Sequence, residues 1–215
     1  MNSKTERHFV AGPAGQIECS LDAPASAEAE SPTLRGVAVI CHPHPQQGGT
    51  KDNKVVQTLA RAFVQLGYRA VRFNFRGIGE SQGGWDEGRG EVDDALAVIA
   101  ALRDPGLPLV VAGFSFGGYV AAKAASTLAD GQRAERLVLV APATRNFQVP
   151  DVPADTVVVH GEIDDVVPLQ AAFDWARPQS LPVIVVPGVG HFFHGKLPLL
   201  KDLVLRNWHP VPSSS

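Results

Sequence analysis

The chain has 215 residues, of which 45% are hydrophobic, and a formal net charge of -3 at pH 7. This length fits one α/β domain with a sizeable core, so we expect a single domain over residues 1–215, with 209–215 as a flexible tail. Acidic and basic residues are interspersed and no apolar run approaches a membrane span, which predicts small-molecule partners instead of nucleic acid or membrane and leaves the oligomeric state unknown.

The N-terminal region is predicted to begin the sheet. The first residues are polar and lack the apolar core of a secretory signal, which indicates a cytoplasmic location. Strands at 8–11 and 16–21 form a hairpin across a turn rich in glycine and proline, and 22–35 is a surface loop. Cys19 and Cys41 fall in predicted strands, and we expect both to be buried thiols because no export signal accompanies them.

From residue 36 onward, apolar strands alternate with helical segments. Unbroken apolar strands are typical of a parallel sheet buried on both faces. The first helix has Asp52 as its expected N-cap and Gly67 as its stop. The sequence therefore predicts an α/β fold with a mostly parallel central sheet flanked by helices on both faces. The predicted strands are 36–41, 68–75, 109–112, 136–140, 155–160 and 182–186, and the predicted helices are 53–66, 91–102, the segment after Ser115, 169–176 and 198–208.

A serine framed by glycines follows the strand that begins at Leu109. Gly113, Ser115 and Gly117 form a G-x-S-x-G pattern between an apolar run and a good helix-forming sequence. A sharp strand-to-helix turn strains the central residue and requires small residues two positions to either side. Such a turn exposes the serine hydroxyl beside a helix N-terminus, whose free N–H groups suit an oxyanion. Ser115 is therefore the candidate nucleophile for acyl transfer.

A serine nucleophile needs a base, and usually an acid that orients the base. Catalytic groups of an open parallel sheet lie just past the carboxyl ends of its strands. Asp164 follows one of the last two predicted strands, and His191 follows the other. Asp165 and Glu162 are alternatives for the acid, and His194 is the second choice for the base.

An oxyanion hole requires two backbone N–H donors. One is expected from Phe116, directly after the nucleophile, and the other from the loop after the first buried strand. Prolines in that loop have no N–H, which favours His44, with Gln46 and Gln47 as fallbacks. The pair formed by His42 and His44 has an alternative interpretation as metal ligands, but no further ligands occur at matching spacing. We therefore expect neither a metal nor a cofactor.

The order of nucleophile, acid and histidine resembles that of the α/β-hydrolases. More specifically, H-P-H-P at 42–45 and N-F-R-G at 74–77, each followed by glycines, are similar to small bacterial hydrolases of this superfamily related to dienelactone hydrolases. The family pattern G-x-x-D-x-x-V-P matches 161–168 and favours Asp164, while His191 follows a G-x-G turn as the family's histidine does. The resemblance covers nearly the whole chain and implies the α/β-hydrolase fold.

Two departures from that family affect the expected substrate. Dienelactone hydrolases use a cysteine nucleophile, whereas this chain has Ser115, which argues against that substrate. Many α/β-hydrolases carry a lid after the sixth strand, but here the short, proline-containing segment 141–154 fills this interval. We therefore expect no lid domain and a shallow, open acyl pocket. Its candidate apolar walls are Trp85 and Phe192, together with Phe116 and Phe193.

The expected function is that of a serine hydrolase that cleaves small carboxylic esters or thioesters through an acyl-enzyme. Ser115, Asp164 and His191 are the predicted catalytic triad, and Phe116 and His44 the predicted oxyanion donors. An acyltransferase or perhydrolase would use the same residues, and a non-catalytic ligand-binding protein could retain the same fold. Acyl-chain length and leaving group stay open at this level.

Overall fold

The structure is a computed structural model that describes residues 5–24 and 34–208. Part of the predicted loop 22–35 and all of the predicted tail 209–215 lie outside the described residues. Within the described ranges, every helix is too short or too polar to cross a membrane.

One eight-stranded sheet forms the centre of the described structure. Its strands in chain order are β1 (Glu6–Gly12), β2 (Gly15–Asp22), β3 (Gly36–Cys41), β4 (Tyr68–Phe73), β5 (Leu109–Phe114), β6 (Arg136–Val140), β7 (Val157–Gly161) and β8 (Ile184–Val186). Their order across the sheet is β1-β2-β4-β3-β5-β6-β7-β8. The β1–β2 and β2–β4 pairs are antiparallel and all the others are parallel. The predicted α/β class and mostly parallel sheet are confirmed.

Helices cover both faces of this sheet. They are α1 (Lys54–Gln65), α2 (Arg89–Leu102), α3 (Phe116–Thr127), α4 (Leu169–Ala176) and α5 (Leu197–Arg206). Helices α1 and α5 pack on one face, while α2 and α3 pack on the other, and each face has its own apolar core. Every predicted helix is present and differs from its prediction only at its ends.

The predicted N-cap of α1 is wrong by one residue. Asn53 caps the helix, since its side chain accepts a hydrogen bond from the Val55 N–H at 2.9 Å. The carboxylate of Asp52 is instead drawn to two cations and lies 2.8 Å from Arg72 and 3.0 Å from Lys51. Two charged partners stabilise this carboxylate more than a single helix amide would, which leaves the capping position to the neutral asparagine.

Strand β4 ends at Phe73 instead of the predicted Phe75. The Asn74 N–H donates to the backbone oxygen of Glu18, and the Phe75 N–H donates to the ring of His42. These two amides therefore do not extend the parallel hydrogen bonding between β3 and β4. They instead connect the end of β4 to β2 and to the loop after β3. The chain then enters the loop that the sequence marks with N-F-R-G.

Both cysteines are buried free thiols, as predicted. Burial raises the pKa of the Cys19 thiol to about 12 and also raises the pKa of Cys41. A raised pKa keeps each thiol protonated at neutral pH, so neither sulfur is a thiolate nucleophile. Reactive chemistry therefore has to come from other side chains.

The interval between β6 and β7 contains no helix. Residues 141–156 form turns and extended chain that stay close to the sheet edge, where the Ala143 N–H donates to the backbone oxygen of Ser115 at 3.1 Å. The predicted absence of a lid in this position is confirmed. Because β3 to β8 pair in parallel, their carboxyl ends lie on the same side of the sheet, which is where the loops that carry Ser115, Asp164 and His191 begin.

Candidate active site

Ser115 occupies a strained turn between β5 and α3. Its backbone has φ 57° and ψ -120°, a region that non-glycine residues rarely adopt. A Cβ added to Gly113 would lie 2.0 Å from the Gly117 oxygen, and one added to Gly117 would lie 2.2 Å from the Cys41 oxygen. Both positions therefore require glycine. This close packing explains the G-x-S-x-G spacing and turns the serine hydroxyl away from the sheet.

His191 connects Ser115 to Asp164. Its Nε2 lies 2.9 Å from the Ser115 Oγ, and its Nδ1 lies 2.7 Å from Oδ2 of Asp164. A carboxylate oxygen only accepts, so Nδ1 carries the proton and donates it to Asp164. Nε2 is then free to accept from the serine hydroxyl. The structure brings the three predicted residues into one hydrogen-bonded chain, and all three are buried.

The carboxylate of Asp164 is held by several donors. Its Oδ1 accepts the N–H groups of Val166 at 3.0 Å and Val167 at 2.7 Å. A second histidine, His160, lies beneath it with Nε2 3.5 Å from Oδ2 and 2.8 Å from the Val167 backbone oxygen. Burial lowers the pKa of His160, so this ring is neutral. Sequence reasoning missed it, since a histidine in an apolar strand carries no motif of its own.

The acid loop and the histidine loop are tied to each other. The Ile163 N–H donates to the Val189 oxygen at 3.1 Å, and the Glu162 N–H donates to the Val186 oxygen at 3.0 Å. A Cβ on Gly161 would lie 2.3 Å from the Val189 oxygen. These contacts fix the distance between the two loops, so Asp164 and His191 are positioned together.

The alternative acids and the alternative base are placed elsewhere. Asp165 and Glu162 are exposed, and the Glu162 carboxylate accepts the Gly188 N–H at 2.8 Å. His194 is also exposed and lies against Phe192. Of the candidate acids and bases, Asp164 and His191 are thus the two that join Ser115 in one hydrogen-bonded chain.

The backbone N–H groups of the two predicted oxyanion donors are free of protein acceptors within the described residues. Among the hydrogen bonds of residues 5–24 and 34–208, neither the His44 N–H nor the Phe116 N–H donates to a protein atom. Of the two fallbacks, the Gln47 N–H donates to the His44 oxygen at 3.0 Å and is therefore occupied, whereas the Gln46 N–H, like that of His44, donates to no protein atom within the described ranges. His44 and Phe116 are in contact through their rings, whose centroids are 5.2 Å apart.

Two of the four aromatic residues predicted to line the pocket are accessible. Trp85 is half-buried, with its ring 4.6 Å from that of His44, and Phe192 is 43% exposed, with its ring 5.0 Å from that of His191. Trp85 therefore lies beside a predicted oxyanion donor, and Phe192 lies beside the triad histidine. Phe116 and Phe193 are buried and belong to the cores, so their prediction as open pocket walls is wrong. Phe147, which belongs to no sequence motif, is half-buried and adds a further ring beside Phe116.

The loop that carries Trp85 is anchored to α2. Arg76 makes a bidentate ion pair with the buried Asp94, with Nη2 and Nε at 2.8 Å and 3.0 Å from its two oxygens. The guanidinium lies across Gly90, where a Cβ would come within 1.9 Å of it. Near Trp85, Glu91 accepts the N–H groups of the loop residues Asp86 and Gly88. These contacts give Trp85 a fixed position beside the site.

Comparison with known proteins agrees with this geometry. The sequence model of the Hydrolase_4 family, described as serine aminopeptidase, S33, matches residues 33–152. The chain belongs to the α/β-hydrolase superfamily. This assignment confirms the predicted resemblance to the α/β-hydrolase superfamily.

Several relatives match over most of their length. A protein of Xanthomonas campestris described as an α/β serine hydrolase without a lid is 36% identical, with a TM-score of 0.85 and 98% of each chain covered. An α/β serine hydrolase homologue from Coxiella burnetii is 37% identical, with a TM-score of 0.79 over 97% of this chain and 100% of that one. An uncharacterised protein of Rickettsia prowazekii is 30% identical over 87% of this chain and 82% of its own length.

Proposed function

We propose that this α/β-hydrolase cleaves small carboxylic esters or thioesters through an acyl-enzyme on Ser115. The observation that carries the proposal is the His191 ring, which contacts the Ser115 hydroxyl through one nitrogen and the Asp164 carboxylate through the other. The two unoccupied amides of His44 and Phe116 supply the expected oxyanion donors.

In the acylation half of the reaction, His191 acts first as a base. Its Nε2 takes the proton of Ser115 as Oγ attacks the substrate carbonyl carbon, and the carbonyl oxygen becomes an oxyanion held by the His44 and Phe116 N–H groups. The protonated ring then donates this proton to the leaving alkoxide or thiolate. The products are the free alcohol or thiol and an acyl group esterified to Ser115.

Deacylation repeats these steps with water as the nucleophile. His191 removes a proton from water, hydroxide adds to the acyl carbon, and the ring returns the proton to Oγ as the carboxylic acid leaves. Throughout, Asp164 holds Nδ1 protonated and stabilises the imidazolium. Every bond and proton is assigned to the chain, the substrate or water, so we expect no cofactor.

The surroundings of the triad offer an open site with accessible apolar rings, which suits the small acyl group of the proposal. No lid segment lies between β6 and β7, and Trp85 and Phe192 are accessible apolar rings beside the site. An ester held between two such rings gains apolar contact without being enclosed. A cytoplasmic location stays a prediction from the polar first residues.

Covalent labelling tests the proposed function directly. A fluorophosphonate should react with Ser115 within minutes, because the reagent uses the same activated hydroxyl and oxyanion donors as an ester. Peptide mass spectrometry of the labelled protein should place the adduct on Ser115 and not on the exposed Ser126 of the same helix. Slow labelling spread over several serines would instead favour a non-catalytic ligand-binding protein.

Product analysis separates hydrolysis from acyl transfer. An ester substrate incubated with increasing concentrations of a short alcohol or with hydrogen peroxide should yield mainly the free acid, since the open site admits water. Dominant formation of the new ester or the peracid at modest acceptor concentration would establish the transferase or perhydrolase alternative.

Removing either flanking ring should weaken substrate binding. We expect Trp85→Ala and Phe192→Ala each to lower kcat/KM about 10-fold, mainly through KM, because each loses an apolar contact on the order of 1–2 kcal/mol. Steady-state kinetics on a short-chain p-nitrophenyl ester measures the effect. Phe9→Ala is the matched control, since Phe9 is exposed to a similar degree on β1 at the far edge of the sheet. An equal loss of kcat/KM in Phe9→Ala would contradict a direct contact between the substrate and the two rings.

A further inference from the structure

His42 is a fully buried histidine that the proposed mechanism does not use. Its Nε2 accepts the Phe75 N–H at 3.0 Å. A backbone N–H only donates, so Nε2 bears the lone pair and Nδ1 bears the proton. That Nδ1–H donates to the Pro43 backbone oxygen at 2.6 Å. Both ring nitrogens are therefore committed to the backbone.

This tautomer persists over the whole range of an activity assay. Burial lowers the pKa of His42 to about 3, so the ring stays neutral at any pH at which a triad histidine could act as a base. The lone pair on Nε2 is taken by Phe75, which also means that this nitrogen is not oriented to bind a metal together with His44.

The bond to Pro43 fixes a peptide unit that His44 shares. In a trans peptide the carbonyl and the N–H of one plane point in opposite directions, and no cis bond occurs in the described residues. Holding the Pro43 carbonyl against the His42 ring therefore turns the His44 N–H to the other side. The next carbonyl, that of His44, is also held, because it accepts the N–H groups of Gln47 and Gly49, each at 3.0 Å.

Two glycines allow close backbone packing at this loop, one within the loop itself and one between the loop and the start of α3. A Cβ on Gly49 would lie 2.0 Å from the Pro43 oxygen, and a Cβ on Gly117 would lie 2.5 Å from the His42 oxygen. The loop that carries the His44 amide therefore contacts the first turn of α3, which carries the Phe116 amide. The distance between the two amides is set by backbone contact, and the direction of the His44 N–H is set by the His42 ring.

We propose that His42 is a positioning residue whose ring fixes the Pro43–His44 peptide and thereby aims the His44 N–H at the developing oxyanion. The inference rests on the proposed function, since the oxyanion arises only in acyl transfer. It assigns to the first histidine of the H-P-H-P pattern a role in catalysis without contact with the substrate.

Two substitutions separate the two hydrogen bonds of the ring. In His42→Asn the side-chain amide can reach the Nδ1 position and donate to Pro43, but nothing accepts from Phe75. In His42→Gln the longer side chain can reach the Nε2 position and accept from Phe75, but nothing donates to Pro43. Each variant loses one buried hydrogen bond, so we expect similar losses of thermal stability.

The two variants should differ in kcat. Loss of one oxyanion donor lowers kcat about 100- to 1000-fold. His42→Gln misdirects the His44 N–H without removing it, so its kcat should fall about 10- to 100-fold with KM little changed. His42→Asn should stay within about 5-fold of the unmodified protein. A trifluoromethyl ketone, whose adduct with Ser115 carries an oxyanion, should lose affinity for His42→Gln in parallel with kcat. The pH midpoint of kcat/KM should not move, because His42 does not titrate in this range.

A second pair tests the same peptide if the His42 variants do not fold. Gly49→Ala places a methyl group against the Pro43 oxygen, whereas Gly48→Ala, with φ 79°, strains the backbone but has no atom within 4 Å of its new Cβ. We expect Gly49→Ala to lose kcat and Gly48→Ala to lose only stability.

Equal kcat in both members of a pair, or losses of kcat that follow melting temperature alone, would overturn the role of His42. Failure of the unmodified protein to label at Ser115 would overturn the proposed function and this inference with it.

Discussion

Replacing Ser115 with alanine should lower kcat/KM for a short-chain p-nitrophenyl ester by about 10⁴- to 10⁶-fold. Within residues 5–24 and 34–208, Ser115 carries the one hydroxyl that is hydrogen-bonded to the His191 ring. The neighbouring thiol of Cys41 is buried and protonated, and water would have to attack without the covalent intermediate. What remains is the modest acceleration given by the oxyanion donors and by substrate binding.

This loss should occur without unfolding. Alanine meets the same backbone strain at φ 57° as serine does, and the N–H and oxygen of residue 115 keep their bonds to Val140, Gly118 and Ala143. Melting temperature and circular dichroism should therefore stay close to those of the unmodified protein. Ser126→Ala, which removes an exposed hydroxyl from the same helix, should retain full activity. Ester hydrolysis by Ser115→Ala at more than a few per cent of the original rate would place the nucleophile elsewhere.

The fold was largely predictable because its strongest signals are local. The unbroken apolar runs of β3 and β5 indicate a sheet covered on both faces, and Gly113 and Gly117 indicate the turn between strand and helix. The error at Asp52 and Asn53 has another origin. Either side chain can cap a helix, and the choice depends on Lys51 and Arg72, of which Arg72 lies on a strand that is distant in sequence.

For the candidate site, the sequence predicted only which residues take part and their order along the chain. Sequence places Asp164 and His191 after strands that end at one edge of the sheet, but it does not give the contact between their loops or the hydrogen bonds to Ser115. The hydrogen-bond partners of buried polar side chains were the least predictable feature. His42 and His160 carry hydrogen bonds that depend on Phe75 and Val167, and such partners are recognisable only once the strands are paired.

Asp164→Asn is expected to lower kcat/KM about 10³- to 10⁴-fold near neutral pH. The reason lies in how the carboxylate is held. Oδ1 accepts two backbone N–H groups, from Val166 and Val167, so the oxygen of an asparagine side chain would remain there. Its NH₂ group would then face the Nδ1 of His191, where Oδ2 accepts in the unmodified protein.

An NH₂ group donates, so it favours the tautomer of His191 that has its lone pair on Nδ1 and its proton on Nε2. That tautomer cannot accept the proton of Ser115, and the base is lost although every heavy atom keeps its place. Asp165→Asn is the matched control, because it removes the same charge from the adjacent exposed position and should leave kcat/KM within about 2-fold. Steady-state kinetics on both variants measures the difference, with fluorophosphonate labelling as an independent readout of the Ser115 hydroxyl. Full activity in Asp164→Asn together with a large loss in Asp165→Asn would transfer the role of the acid to Asp165.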